Sequence, residues 1–290
     1  MSRIFGRRPA SVEGAGTSHP PFDVLVLAAP KDYVMLPFVL RGIARNVAGY
    51  TDVYLCTPTP VETLRLPVAV RPLLDAHVLP VDRTRWRYRP DWVCQQFLKL
   101  LQEATPNDLY LVVDADTIVS EPLPLFEGGR PVWWTGLDQL CEAYFRFSRT
   151  MLGVDRVYDH TFIADLFFFS RALVEEMLAS GGYTRESFVE RSFAVIEEGC
   201  RPSEAELYMN YVYAHHPEAY VIRELRTAFV GKELDDAGVE PWTRREIART
   251  IRAMRRRRLQ TFSLHSWARD SGDAAARGHD DRAAAETPRR

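Results

Sequence analysis

Two aspartates one residue apart, Asp114 and Asp116, close a short apolar run, Leu109-Tyr110-Leu111-Val112-Val113. On an extended segment the side chains of residues i and i+2 leave on the same side. Two carboxylates could then reach one divalent cation, or one could hold the cation while the other holds a ribose hydroxyl. Hard oxygen ligands of this kind suit Mg²⁺ or Mn²⁺, whose remaining positions diphosphate oxygens can fill. Asp-x-Asp is a short pattern, and its aspartates also serve as turn formers and helix caps. Its place at a strand end is what makes it informative here. Two carboxylates supply few ligands, so a third is expected. His265, in Ser263-Leu264-His265-Ser266-Trp267, ends the last predicted strand. An imidazole beside carboxylates tilts the preference toward Mn²⁺, the alternative being a histidine packed against Trp267. His160 is the competing candidate, whereas His215 and His216, just before Pro217, read as caps at a helix C-terminus.

A departing diphosphate carries two negative charges, so a cation beside the metal would help. Lys99 is one of only three lysines in the chain. It shares one helical face with Trp92, Gln96 and Glu103, which offers a phosphate or sugar contact; a solvated lysine is the alternative. Gln95 and Gln96 are candidate hydrogen-bond partners of donor or acceptor. Ser203-x-x-Glu206 ahead of an apolar run has the form of a capping box, with the serine capping the backbone and the glutamate reaching back. That assigns Glu206 a structural role and leaves Glu204 free, in the first helical turn, as the candidate catalytic base. A helix N-terminus favours the ionised carboxylate, which weakens such a base. Tyr208, Tyr211 and Tyr213 have the spacing of core rings, with a sugar platform as the alternative. Trp133 and Trp134 either line an acceptor cleft or pack beneath it.

The surrounding pattern alternates strands and helices. Asp23–Ala29, Asp52–Cys56, Ala76–Val81 and Leu109–Val113 read as strands, and Met35–Val47 and Trp92–Glu103 as helices, the latter capped by Asp91. The second half is more mixed: strands at Val132–Thr135, Ile163–Phe169, Tyr220–Ile222 and Thr261–Leu264, and helices at Arg171–Ala179, Ser203–Ala214 and Thr243–Leu259. This order predicts an α/β fold, Rossmann-like, with a mixed and mainly parallel sheet flanked by helices. Ligands of such sheets bind beyond the carboxyl ends of the strands, where the acidic triplet falls.

The segment Leu109-Tyr110-Leu111-Val112-Val113-Asp114-Ala115-Asp116-Thr117-Ile118-Val119, followed by Pro122-Leu123, resembles the strand, DxD and turn of nucleotide-sugar glycosyltransferases of the GT-A fold, in particular the glycogenin and lipopolysaccharide galactosyltransferase type. Over 22–267 the chain is similar to a bacterial family of unassigned function. Its marks are a Trp-x-x-Gln-Gln-x-x-Lys helix (Trp92, Gln95, Gln96, Lys99) and a Ser-Glu-x-Glu-x-Tyr helix (Ser203, Glu204, Glu206, Tyr208). The resemblance implies a metal-dependent glycosyltransferase that moves a sugar from a nucleotide-diphosphate sugar, UDP-linked by analogy, to a hydroxyl acceptor: a glycan, a lipid-linked sugar or a small natural product. It implies that Ala28, Ala29, Lys31 and Asp32 take the nucleoside. It further implies that the Asp114-Ala115-Asp116 segment meets ribose and Mn²⁺ or Mg²⁺, with His265 as third metal ligand. One departure is the lack of an Asn-x-Gly sugar-pocket segment; Phe162-Ile163-Ala164-Asp165 stands near its place, and Asp165 becomes a candidate contact to the donor sugar. Two other readings are a GT-A-like binding protein without catalysis and a sugar-nucleotide nucleotidyltransferase. The latter needs a glycine-rich loop after the first strand, and Ala28-Ala29-Pro30-Lys31 is not one.

The chain has 290 residues, enough for one large domain. We expect one domain over 22–268, divided into a nucleotide-binding half (22–120) and an acceptor half (121–268), between disordered tails at 1–21 and 269–290. No run approaches the roughly 18 apolar residues of a membrane span, and the N-terminal stretch lacks the apolar core of a secretory signal. The four dispersed cysteines fit free thiols in a reducing cytoplasm. The net charge of −2 hides an asymmetry: Arg244 to Arg258 contains eight arginines and one acid, and the rest of the chain carries −9. Thr243-x-x-Glu246 opens this helix as a second capping box. Ile247, Ile251 and Met254 form a narrow apolar stripe. Three roles are open to it: a docked helix with a solvated face, a lender of arginine to a diphosphate, or a peripheral contact at the inner membrane face. Nucleic acid is not expected as a partner, since no aromatic residues interleave the arginines.

Overall fold

The computed structural model describes residues 19–61, 65–136, 140–231 and 242–265. The chain opens with β1 (Phe22–Leu27), fully buried, then α1 (Leu36–Asn46) and β2 (Tyr50–Thr57). The next elements are β3 (Arg71–Leu74), the single helical turn α2 (Asp75–Val78) and α3 (Pro90–Leu100). β4 (Leu109–Asp114) and β5 (Thr117–Val119) follow, then the hairpin of β6 (Phe126–Glu127) and β7 (Arg130–Thr135). The second half contains α4 (Glu142–Leu152), β8 (Leu166–Ser170), α5 (Arg171–Ser180), α6 (Arg185–Glu197) and α7 (Glu204–His215). It ends with β9 (Val221–Glu224), β10 (Phe229–Gly231), α8 (Arg244–Arg256) and β11 (Thr261–His265).

The main sheet has the order β3-β2-β1-β4-β8. Its first three pairings are parallel and the last, β4 with β8, is antiparallel. The expected α/β, Rossmann-like architecture with a mainly parallel sheet is therefore present. β1 and β4 bury nearly every residue, as strands covered on both faces must. The chain leaves β1 toward one side of the sheet and returns on the other side as β4. A switch point thus lies between them, the place where a crevice opens beyond the strand ends. Two small sheets complete the fold: β10-β11-β5, which flanks this end, and β6-β7-β9. One hydrophobic core joins residues from Phe22 to Leu264.

Several boundaries differ from the sequence pattern. The third strand is Arg71–Leu74, and Asp75–Val78 is helical, so the expected strand Ala76–Val81 does not form. Pro80 has no N–H to give a ladder, and it is Arg71–Leu74 that pairs in parallel with β2. α3 is not capped by Asp91: Pro90 starts the helix, where its fixed φ suits the first turn. Asp91 instead accepts from Arg83 at 3.1 Å. β8 starts at Leu166, three residues later than expected, and α8 ends at Arg256 rather than Leu259. Helices α4 and α6 have no counterpart in the sequence pattern. The expected tails lie almost wholly outside the described residues, as do Lys232 and Trp267. Among the described residues no helix is long and apolar enough to cross a membrane.

Candidate functional site

β4 and β1 end side by side, with Leu27 in register with Asp114. The chain then turns at Ala115-Asp116 into β5, so the two aspartates flank a turn rather than an extended segment. The extended geometry that would send residues i and i+2 to the same side is therefore not what brings them together. Convergence comes from the turn and from what pins it. Asp114 N–H donates to the Asp165 carbonyl (3.2 Å), and Leu264 N–H donates to the Asp116 carbonyl (2.9 Å). β5 is held from below by α1, where Asn46 Nδ2 donates to the Val119 carbonyl at 2.8 Å. Gly42 permits that close approach: a Cβ there would stand 2.8 Å from the Val119 oxygen.

The continuation of β1 supplies the other wall. Ala28 and Ala29 lead into a tight turn over Pro30–Asp32, in which Asp32 is buried and Lys31 is mostly exposed. Asp32, Asp114, Asp116 and Asp165 lie close enough to load one another electrostatically. Loss of water, followed by the charges of Asp114, Asp32 and Asp165, holds the Asp116 carboxyl well above the usual carboxylate range. Burial, with Asp114 next in importance, pushes Asp165 up to about 6, against the hydroxyls of Thr227 and Ser263. Asp32 is raised by burial, with Lys31 opposing.

Lys99 is not a solvated lysine. It is buried, and its ammonium lies 2.6 Å from Asp114 Oδ1 and 2.9 Å from Glu204 Oε1. Burial alone would discharge it, but the two carboxylates outweigh that and hold its pKa above the ordinary lysine range. Glu204 is correspondingly not free. It is buried in the first turn of α7, with burial raising its pKa and Lys99 opposing. α3 and α7 thus brace Asp114 from behind through one shared ammonium. Gln96, a turn before Lys99, is buried; Gln95 is half-buried.

Glu206 has a structural role, but not through the expected capping box. Ser203 does cap the Glu206 N–H. The Glu206 carboxylate, however, accepts from Thr161 Oγ1 (2.6 Å), Phe162 N–H (2.9 Å) and Asn210 Nδ2 (2.9 Å). It therefore fixes the loop that leads to Asp165. Tyr208, Tyr211, Trp133 and Trp134 are buried in the core rather than in a cleft. His160 is exposed, and His216 pairs with Glu176 at 2.7 Å. The backbone of His265 closes β11 opposite Gly231; its side chain, the expected third metal ligand, lies outside the described residues. The four cysteines are unpaired, and all but Cys141 are buried.

Pattern reading missed a set of hydroxyls around Asp165. Thr227 Oγ1 donates to Asp165 Oδ2 at 2.9 Å, Thr261 lies 2.8 Å from Thr227, and Thr117 lies 2.8 Å from Ser263. These residues come from β5, β11 and the loop before β10, far apart in the chain, and no local spacing marks them. A cavity of about 250 Å³ opens at the other end of β4, lined by Pro20, Asp108, Leu109, Ser170 and Tyr220, and shares no residue with the carboxylate cluster.

No protein-family model and no curated protein sequence matches the chain. The case for function therefore rests on the site's own chemistry.

Proposed function

We propose that the protein is a metal-dependent glycosyltransferase that moves a sugar from a nucleotide-diphosphate donor to a hydroxyl acceptor. The observation that carries this reading is the accumulation of Asp32, Asp114, Asp116 and Asp165 at the switch point, where burial first and neighbouring charge second hold the carboxyls of Asp32, Asp116 and Asp165 up. A fold keeps such repulsion only where something relieves it, and functional sites are where strongly shifted carboxylates gather. The donor atoms are hard oxygens, which fit Mg²⁺ or Mn²⁺. Among the described residues no three or more His, Cys, Asp or Glu groups are set to enclose a metal ion. The fit is therefore to a cation that takes part of its shell from diphosphate oxygens. When bound, such a cation neutralises charge on the departing diphosphate.

The chain's own residues have three tasks in this reading. The turn after β1, with Ala28, Ala29, Lys31 and Asp32, forms a wall for the nucleoside. Lys99 fixes the Asp114 carboxylate, and Glu204, its second partner, keeps that ammonium charged. The reaction breaks the bond from the anomeric carbon to the phosphate oxygen and forms one to the acceptor oxygen, whose proton must leave. Asp165, pushed up to about 6, suits that proton better than Glu204, which is held in an ion pair with Lys99.

The test is calorimetry and thermal shift with UDP and Mn²⁺ on the parent chain and on Asp116→Asn. We expect Mn²⁺ and UDP together to raise the parent Tm, by mass action on the folded state, and the variant to lose the Mn²⁺-dependent part. Unchanged UDP and Mn²⁺ binding in the variant would overturn the site assignment.

A further inference from the structure

The carboxylate site does not use the strongest charge concentration on the molecule, which lies on α8. The helix is firmly built. Thr243 and Glu246 cap it reciprocally, with the Thr243 N–H donating to Glu246 Oε2 at 2.7 Å, and Ile247 is fully buried. Ile251 and Met254 pack half-buried against the core. The apolar stripe is therefore spent on docking the helix to its own domain. All eight arginines from Arg244 to Arg258 are exposed.

These arginines differ from eight of the others in one respect. Arg71, Arg83, Arg85, Arg87, Arg149, Arg185, Arg223 and Arg226 each reach a carboxylate. None of the eight on α8 and its C-terminal turn makes an ion pair among the described residues. The helix geometry groups them as well. At about 100° per residue, Arg244, Arg245, Arg249, Arg252, Arg255 and Arg256 fall within an arc of about 140°, on a rod roughly 20 Å long. Ile247, Ile251 and Met254 fall outside that arc. The result is one continuous cationic face that no carboxylate neutralises among the described residues, on a chain whose remainder is acidic.

We propose that this face docks the protein on an anionic lipid surface. Charge complementarity selects the partner class. A helix whose apolar stripe is already packed against its own domain can bind by attraction to headgroups without insertion, and clusters of four to eight basic residues on a helix suffice for that. The acidic remainder of the chain would be repelled by the same surface, so docking is directional. The exposed arc carries no Asn, Gln or aromatic side chain for reading or stacking on bases, which disfavours nucleic acid. A second copy is disfavoured because many exposed acids of the body, including Glu103, Glu142, Asp155, Glu190 and Glu197, already face arginines of their own chain.

The experiment is co-sedimentation of the full chain with vesicles of phosphatidylcholine alone or mixed with phosphatidylglycerol, at low and high salt. A parallel measurement uses a variant with Arg249, Arg252, Arg255 and Arg256 each changed to Gln. We expect binding to the anionic vesicles only, weakening with salt as exposed charge does. The variant should lose on the order of 1000-fold in partition while its thermal unfolding and UDP binding stay unchanged. Equal binding by the variant, equal binding to neutral vesicles, tighter salt-matched binding to duplex DNA, or an arginine-dependent dimer without vesicle binding would each overturn the proposal.

Discussion

The bridge from Lys99 to Asp114 and Glu204 makes a quantitative claim. Lys99→Met keeps a side chain of similar length and deletes only the charge. Glu204, 5% exposed, then faces Asp114 with no cation within ion-pair distance, while Asp114, with 30% of its side chain exposed, retains some water. Breaking a buried pair by removing one partner costs about 3–5 kcal/mol. With one carboxylate partly hydrated, we place the loss at about 3 kcal/mol at pH 7, a fall in Tm of roughly 6–12 °C for a chain of this size. The pH dependence separates charge from packing. The folded Lys99 pKa is raised, so its contribution is fully present at and below neutral pH and is lost only as pH rises through that value. In the variant the cost comes from Glu204 buried in its ionised form, so it shrinks as pH falls and Glu204, whose pKa burial raises, protonates. Guanidinium denaturation at pH 7.5 and pH 5 should therefore show a larger deficit at the higher pH. Adding Glu204→Gln to Lys99→Met should recover part of it. A deficit of the same size at both values, with no recovery in the double variant, would mean that Lys99 contributes by packing alone, and the bracing of Asp114 would be refuted.

Two further expectations concern the neighbours of that bridge. Asp165, ordinarily an acid near 3.8 and here pushed up to about 6, resists ionisation in the fold at a cost of about 3 kcal/mol above that value. Its stabilising contribution is greatest below pH 4 and lost as pH rises through 6. Asp165→Asn should therefore gain stability over the parent at pH 7.5 and gain none at pH 4, measured by denaturant midpoints; an equal gain at both would remove the charge explanation. Glu206→Ala strands the Thr161 hydroxyl, the Phe162 N–H and the Asn210 amide. It should lower stability by about 3 kcal/mol with an unchanged m-value, whereas a loss below about 1 kcal/mol would show that water replaces the carboxylate.

Local chemistry accounts for what could be read without coordinates. The apolar runs of β1, β2 and β4 are buried parallel strands because only such strands are apolar on both faces. Their alternation with helices implied a mainly parallel sheet and a crevice at its carboxyl end, while the strand order came from the tertiary structure. Asp114 and Asp116 were legible because they follow such a run directly, and the Thr243 capping box because it lies within four residues. The eight arginines of α8 were equally plain as composition. What depended on residues distant in sequence was not legible. Lys99 shows no local sign that Glu204, more than a hundred residues on, shares its ammonium with Asp114. Glu206 has the spacing of a capping box, but the Thr161–Phe162 loop offers its carboxylate a buried N–H and a hydroxyl, and that competing set prevails. The hydroxyls about Asp165 exist as a group only once β5, β11 and the loop before β10 meet. Whether the arginines of α8 are neutralised depends on which acids the rest of the fold brings near, and among the described residues it brings none. Residue type and spacing are set by short-range backbone geometry, which one segment carries by itself. Ion-pair partners and pKa values are set by distance and lost water, which only the packed chain determines.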